Sequence, residues 1–161
     1  MPSKPSGPQN HPSDQSSSTT LWTIPEPADV ISYSYLWAHE AAEGKEEGLK
    51  DRPVVVVLAR IIEGELTRLI VAPITHLEPP NGGGVELPPA VKRHLGLDDE
   101  RSWIISTEVN QFIWPGPDIR PAKGAETPLY GAIPAKLFDH LKGQISDNAQ
   151  NKQAVITKRT E

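Results

Sequence analysis

The sequence has no cysteine among its 161 residues. That absence excludes a disulfide framework, a thiol nucleophile and a thiolate metal site. No apolar run approaches the ~18 residues of a membrane-spanning helix, and residues 1–20 lack the apolar centre of a signal peptide. The expectation is therefore a soluble, cytoplasmic chain with no membrane partner. A basic excess is missing as well: 16 Lys and Arg face 21 Asp and Glu, for a formal net charge of −5. Domains that adhere broadly to nucleic acid have a pI above ~9. The acidity disfavours general binding to duplex phosphate, while leaving room for a confined groove in which Lys45, Lys50, Arg52 and Arg68 focus positive charge.

Several chemistries lack their signatures. The 5 histidines, His11, His39, His76, His94 and His140, form no HExxH or His-x-His pattern, so neither a metal nor another cofactor is expected. Gly82-Gly83-Gly84 has no following Gly-Lys-Ser/Thr and reads as a loop tip rather than a phosphate cradle. No GxSxG elbow supports a serine nucleophile. Lys92-Arg93-His94 reads as the solvated face of a short helix.

What the sequence does contain is a mainly β pattern bracketed by polar segments. Residues 2–20 have no aliphatic or aromatic side chain with which to offset the entropy of ordering, so residues 1–20 are expected to form a disordered leader. Residues 21–146 hold the folded domain, and residues 147–161 are expected to be a flexible tail. Within the domain, VISYSYLW alternates as a half-buried strand, and a charged loop follows it. PVVVVLARII is apolar on both faces, as a central strand is, and the turn Glu63-Gly64-Glu65 sends it back into LTRLIVAPIT as a hairpin. LPPAVKRHLG has prolines at its start and Gly96 past its end, the asymmetry of a short helix. RSWIISTEVNQFIWP reads as one or two strands, and IPAKLFDHLKGQI places Leu137, Phe138, Leu141 and Ile145 on one stripe of a C-terminal helix. The expected architecture is a small β-barrel with short appended helices.

Two places stand out chemically. Arg52 lies at the start of the valine strand, after Glu47 and Lys50, and Thr75-His76 lies at the end of the next strand. An antiparallel hairpin brings those two ends together. A carboxylate, a guanidinium, a hydroxyl and an imidazole around one point suit metal-free cleavage of a phosphodiester. That reaction needs a base for the ribose 2′-hydroxyl, a fixed cation for the charge on phosphorus and an acid for the departing 5′-oxygen. Arg serves the second task through its bidentate fork. On spacing alone the ordinary readings stand first: Arg52 in a surface ion pair with Asp51, Glu46 or Glu47, Thr75 as a strand residue, His76 as a loop histidine and Glu47 as a solvated charge. Tyr33, Tyr35, Trp37 and Trp114 read as core fillers before base-stacking platforms.

These residues resemble the MazF/PemK family of bacterial toxin-antitoxin systems. Members show a strand, a Gly-Ser-Glu-Gln loop, three residues, then Arg-Pro and a β-branched run, and later a strand ending in a Thr motif. Here VISYSYLW is followed by Lys45-Glu46-Glu47-Gly48, three residues, Arg52-Pro53, VVVVLA and APITH, and WIISTEVNQFI is similar to the late strand. Glu46 and Gly48 stand where the family has Ser and Gln. The resemblance implies an SH3-like barrel that forms a homodimer, cuts single-stranded mRNA without metal, arrests growth and is neutralised by an antitoxin protein. It implies that Arg52 and Thr75 act at the scissile phosphate, with Glu47 or His76 in proton transfer. Lys50, Glu108, Asn110 and Gln111 are candidates for RNA contact. The alternative is a non-catalytic SH3-like module that binds protein or RNA on the same scaffold.

Overall fold

In the computed structural model, residues 22–45, 50–62, 64, 66–122 and 126–159 are described. The expected leader, residues 1–20, lies outside them, as do Glu63 and Glu65 of the hairpin turn.

The centre of the fold is the hairpin of β2 (Arg52–Ile61) and β3 (Thr67–Thr75), antiparallel in register from Val54↔Pro73 to Ile61↔Thr67, with a shift between Val56 and Leu58. β1 (Asp29–Tyr33) pairs with the other edge of β2, setting Val30 opposite Val55 and Tyr33 opposite Arg52. β7 (Leu129–Ala132) lies beyond β1. The free edge of β3 is divided. Its first half pairs with β6 (Glu108–Trp114), and its last two residues, Ile74 and Thr75, pair with β5 (Trp103–Ile105), which continues to β4 (Gly84–Glu86).

A central strand buried on both faces needs apolar residues at consecutive positions, and the valine run supplies them. Val54 and Val56 join Ile31, Tyr33, Leu69, Val71 and Phe112 in one buried cluster. Val55 turns to the other, with Val30, Ile104, Ile133, Phe138 and Leu141. Helices α2 (Pro89–Leu95) and α3 (Ala135–Gln150) serve that second cluster through Leu95, Phe138 and Leu141. The limits of α2 follow from its sequence: Pro89 sits in the first turn, and Gly96 ends the helix in the left-handed region at φ 73°.

Among the described residues the mainly antiparallel sheet has 8 strands and is not closed into a barrel. Its path runs β4-β5-β3-β2-β1-β7, with β6 branching from β3. The two end strands are short, and each is backed by a helix, α2 against β7 and α3 against β4, rather than by another strand.

Two further segments differ from the sequence expectation. Helix α1 (Ala38–Ala42) forms in the stretch read as a charged loop, because Glu40 reaches back to accept a hydrogen bond from the Trp37 N–H at 3.1 Å, satisfying a donor at the helix start. Residues 147–159 are not a loose tail: they complete α3 and form β8 (Val155–Lys158), parallel to β6. Arg159 then enters the interior, where its guanidinium pairs with Asp118 at 2.8 Å and donates to the Tyr33 hydroxyl, the Ser34 carbonyl and Asn110 Oδ1. Among the described residues no helix is long and apolar enough to cross a membrane.

Candidate functional site

The register of β2 and β3 sets the site. Continuing the Val54↔Pro73 pairing outward by two residues brings Arg52 opposite Thr75, with His76 just beyond the strand end. A cleft of about 600 Å³ opens there, and Lys50, Arg52, Thr75, His76, Asp98 and Tyr130 are among the residues lining it.

Arg52 is half-buried in the cleft wall. Its guanidinium carbon lies 4.9 Å from the centre of the Trp37 ring, and Nη1 donates to the Ile74 carbonyl at a long 3.4 Å. Nε is buried with no hydrogen-bond partner among the described residues. Burial pushes the guanidinium below its ordinary pKa, and the negative charge of Glu40 opposes that shift. An arginine always remains charged at neutral pH. The result is a partly desolvated cation whose fork is incompletely used, an arrangement that gains from a phosphate oxygen.

The platform beneath Arg52 depends on β6. Glu108 Oε1 accepts from the Ala38 N–H at 3.0 Å and from the Tyr35 hydroxyl at 3.1 Å, and burial raises the Glu108 pKa. Asn110 is fully buried; its Oδ1 accepts from the Leu36 N–H at 2.9 Å and its Nδ2 donates to the Leu36 carbonyl at 2.8 Å. The amide is thus consumed by the Leu36 backbone and by Arg159 and cannot read a base edge, contrary to the role expected of it. Together these two side chains hold the segment Leu36–Ala38 that carries Trp37. Gln111 sits half-buried in β6, paired with Ile70 and Lys158, and neither it nor Glu108 lines the cleft. Lys50 is exposed at the cleft wall, whereas Glu47 lies outside the described residues.

Thr75 Oγ1 accepts from the Leu77 N–H at 3.2 Å, a local turn that bends the chain after β3 and presents His76. His76 Nε2 lies 2.8 Å from Asp98 Oδ2. The other oxygen of Asp98, Oδ1, accepts from Lys92 Nζ at 2.6 Å. Lys92 is not on a solvated face: its side chain is only 5% exposed, and its ammonium also donates to Ser102 Oγ at 2.7 Å and to the Glu100 carbonyl. The fold achieves this because Gly96 ends α2 in the left-handed region, so that the chain doubles back and lays Asp98 and Glu100 over Lys92. The Lys92 hydrogen bond, followed by the charges of His76 and Lys92, holds the Asp98 carboxyl below its ordinary pKa.

Donor atoms of His76, Asp98 and Glu100 also lie within 4.8 Å of one another. The Lys92 ammonium already supplies the positive charge beside Asp98, so this grouping is an ion-pair cluster rather than a cation site. Neither Asp98 nor Lys92 stands out in the sequence. The only signal is a Gly four residues after a helical Lys and two before an Asp, too common a pattern to identify a site.

No family model matches the chain, and no curated protein does. Among solved structures, a MazE–MazF crystal structure from Deinococcus radiodurans is similar at 13% identity and a TM-score of 0.48, over 80% of this chain and 98% of that one. A likeness of that size does not establish a family.

Proposed function

We propose that the chain is a metal-independent endoribonuclease of the toxin type, cutting single-stranded RNA by attack of a ribose 2′-hydroxyl on the adjacent phosphate. The observation that carries this reading is the meeting of Arg52, Thr75 and His76 on one cleft. In the reaction the 2′-hydroxyl loses its proton to a base and its oxygen bonds to phosphorus. The bond from phosphorus to the 5′-oxygen breaks, and that oxygen takes up a proton. Arg52 stabilises the charge that builds on the phosphoryl oxygens through its guanidinium, which is only weakly engaged at Nη1. Thr75 contacts an oxygen at the cleavage position. His76 or Glu47 is the proton-transfer group, and His76 lines the described cleft.

The family resemblance of the Arg52-Pro53 junction and the Thr75 motif adds the remaining parts of the proposal: an SH3-like arrangement of the sheet, a homodimer, an antitoxin partner that neutralises the enzyme, and a cytoplasmic site of action. Lys50 contributes positive charge beside the phosphate path. A second reading, binding without cleavage, is favoured by one observation: Arg52 is already packed on Trp37 and bonded to Ile74.

Induced expression with matched protein levels tests the proposal. Wild type should arrest growth and Arg52→Ala should not; equal growth of the two strains contradicts the enzymatic reading. Purified protein that retains RNA without producing fragments favours the binding module.

A further inference from the structure

We propose that Asp98, clamped by the buried Lys92 ammonium, is a positioning residue that fixes His76 as the general base through its Nδ1. This inference rests on the endoribonuclease reading for its chemistry and on four contacts for its geometry. His76 Nε2 is 2.8 Å from Asp98 Oδ2, Lys92 Nζ is 2.6 Å from Asp98 Oδ1, and Lys92 is anchored in turn by Ser102 Oγ at 2.7 Å and the Glu100 carbonyl.

The tautomer follows from donor and acceptor chemistry. An ionised carboxylate only accepts, so the ring nitrogen facing Asp98 carries a proton. In neutral His76 that nitrogen is Nε2, which leaves the lone pair on Nδ1. Neutral imidazole with a defined lone pair is the form that takes a proton from a 2′-hydroxyl. As it does so the ring becomes positive, and the facing carboxylate stabilises it, the division of labour found in Ser-His-Asp triads.

Lys92 explains how an exposed aspartate is held still. The Asp98 and His76 side chains are 48% and 49% exposed, where an ion pair alone is mobile and weak. Lys92 is 5% exposed and comes from helix α2, so the carboxylate is tied to a rigid element on its far side. The charged groups around His76 are therefore Asp98 and Glu100 from the loop after α2, with Lys50, Asp51 and Arg52 elsewhere on the cleft wall. In the reaction, Nδ1 takes the 2′-hydroxyl proton as the oxygen bonds to phosphorus. The departing 5′-oxygen is protonated from solvent, and His76 then releases its proton to solvent.

The test combines steady-state cleavage of a single-stranded RNA with the ¹⁵N chemical shifts of the His76 ring. Wild type should show neutral His76 protonated at Nε2. Asp98→Asn, whose amide is able to turn and donate to the ring, should lose that preference. The same variant should lower kcat about 10-fold or more with KM changed less than about two-fold, and it should have no further effect in a His76→Ala background. Rates are compared at a temperature where each variant is folded, and Asp98→Glu, which keeps the carboxylate, should recover part of the loss. An unchanged tautomer preference in Asp98→Asn overturns the proposal whether or not RNA is cut, and so does an additive loss in the double variant. Absence of cleavage by wild type with the expected tautomer change refutes the enzymatic reading and the base role while upholding the positioning.

Discussion

Arg159 gives the sharpest test of how the C-terminal strand is held. Its side chain is 1% exposed and pairs with Asp118, 9% exposed, at 2.8 Å. The same guanidinium donates to the Tyr33 hydroxyl, the Ser34 carbonyl and Asn110 Oδ1 at 3.0, 2.8 and 3.2 Å, and lies 5.3 Å from the centre of the Tyr33 ring. Replacing it with methionine keeps an apolar stem but leaves the Asp118 charge and these acceptors without that donor. Removing one partner of a buried ion pair costs roughly 3–5 kcal/mol, because a desolvated charge loses its opposite charge. Against the ~5–15 kcal/mol that stabilises a typical domain, this is a large fraction. At about 3 °C per kcal/mol for a domain near this size, Tm should fall by roughly 10–15 °C. Guanidinium unfolding followed by tryptophan fluorescence reads the change directly, since the chain has 4 tryptophans. Asp118→Ala should lose a comparable amount, and the double variant less than the sum. A loss below about 1 kcal/mol for Arg159→Met would mean that the arginine is not docked and desolvated in the interior.

Leu141→Ala, which empties a fully buried position of α3 beneath the sheet, should cost about 2–5 kcal/mol in the same unfolding assay. Burial raises the Glu108 pKa in the folded state, so the stability linked to its neutral form is present below the unfolded carboxylate pKa and is lost as pH rises through the folded one. Glu108→Gln should accordingly gain stability relative to wild type as pH rises from the ordinary carboxylate range, which denaturant midpoints across pH will show. RNA affinity should depend weakly on salt: two cleft cations, Lys50 and Arg52, imply a slope of about −1.4 in log K against log salt for a single strand. A slope several times steeper would mean that a wider basic surface binds the RNA.

The central hairpin and the meeting of Arg52 with Thr75 are legible in the sequence because both follow from local pattern. A run of valines dictates a doubly buried strand, Gly64 permits the reversal, and antiparallel pairing then forces the outer ends of the two strands together. Helix α2 is legible for a similar reason, since Pro89 and Gly96 act within a few residues of themselves. What escapes the sequence depends on partners far along the chain. Asn110 looks like a surface amide until Leu36 is seen to occupy both of its ends. Lys92 looks solvated until the reversal at Gly96 supplies Asp98, Glu100 and Ser102. β8 is hidden because Val155 and Ile156 remain half-exposed, so its position comes from backbone pairing with β6 and from Arg159 rather than from an apolar pattern. The expectation of a barrel fails where helices back the short end strands, an outcome set by packing that no local period encodes.

Arg52 and its neighbours are proposed to cut RNA by internal attack of the ribose hydroxyl. The most direct measurement is end analysis of a long single-stranded RNA incubated with purified protein in the presence of a chelator. Internal attack should leave fragments bearing 2′,3′-cyclic phosphate and 5′-hydroxyl ends, with a rate falling by about 10²–10³-fold in Arg52→Ala. Intact RNA, or cleavage that Arg52→Ala leaves unchanged, would contradict it.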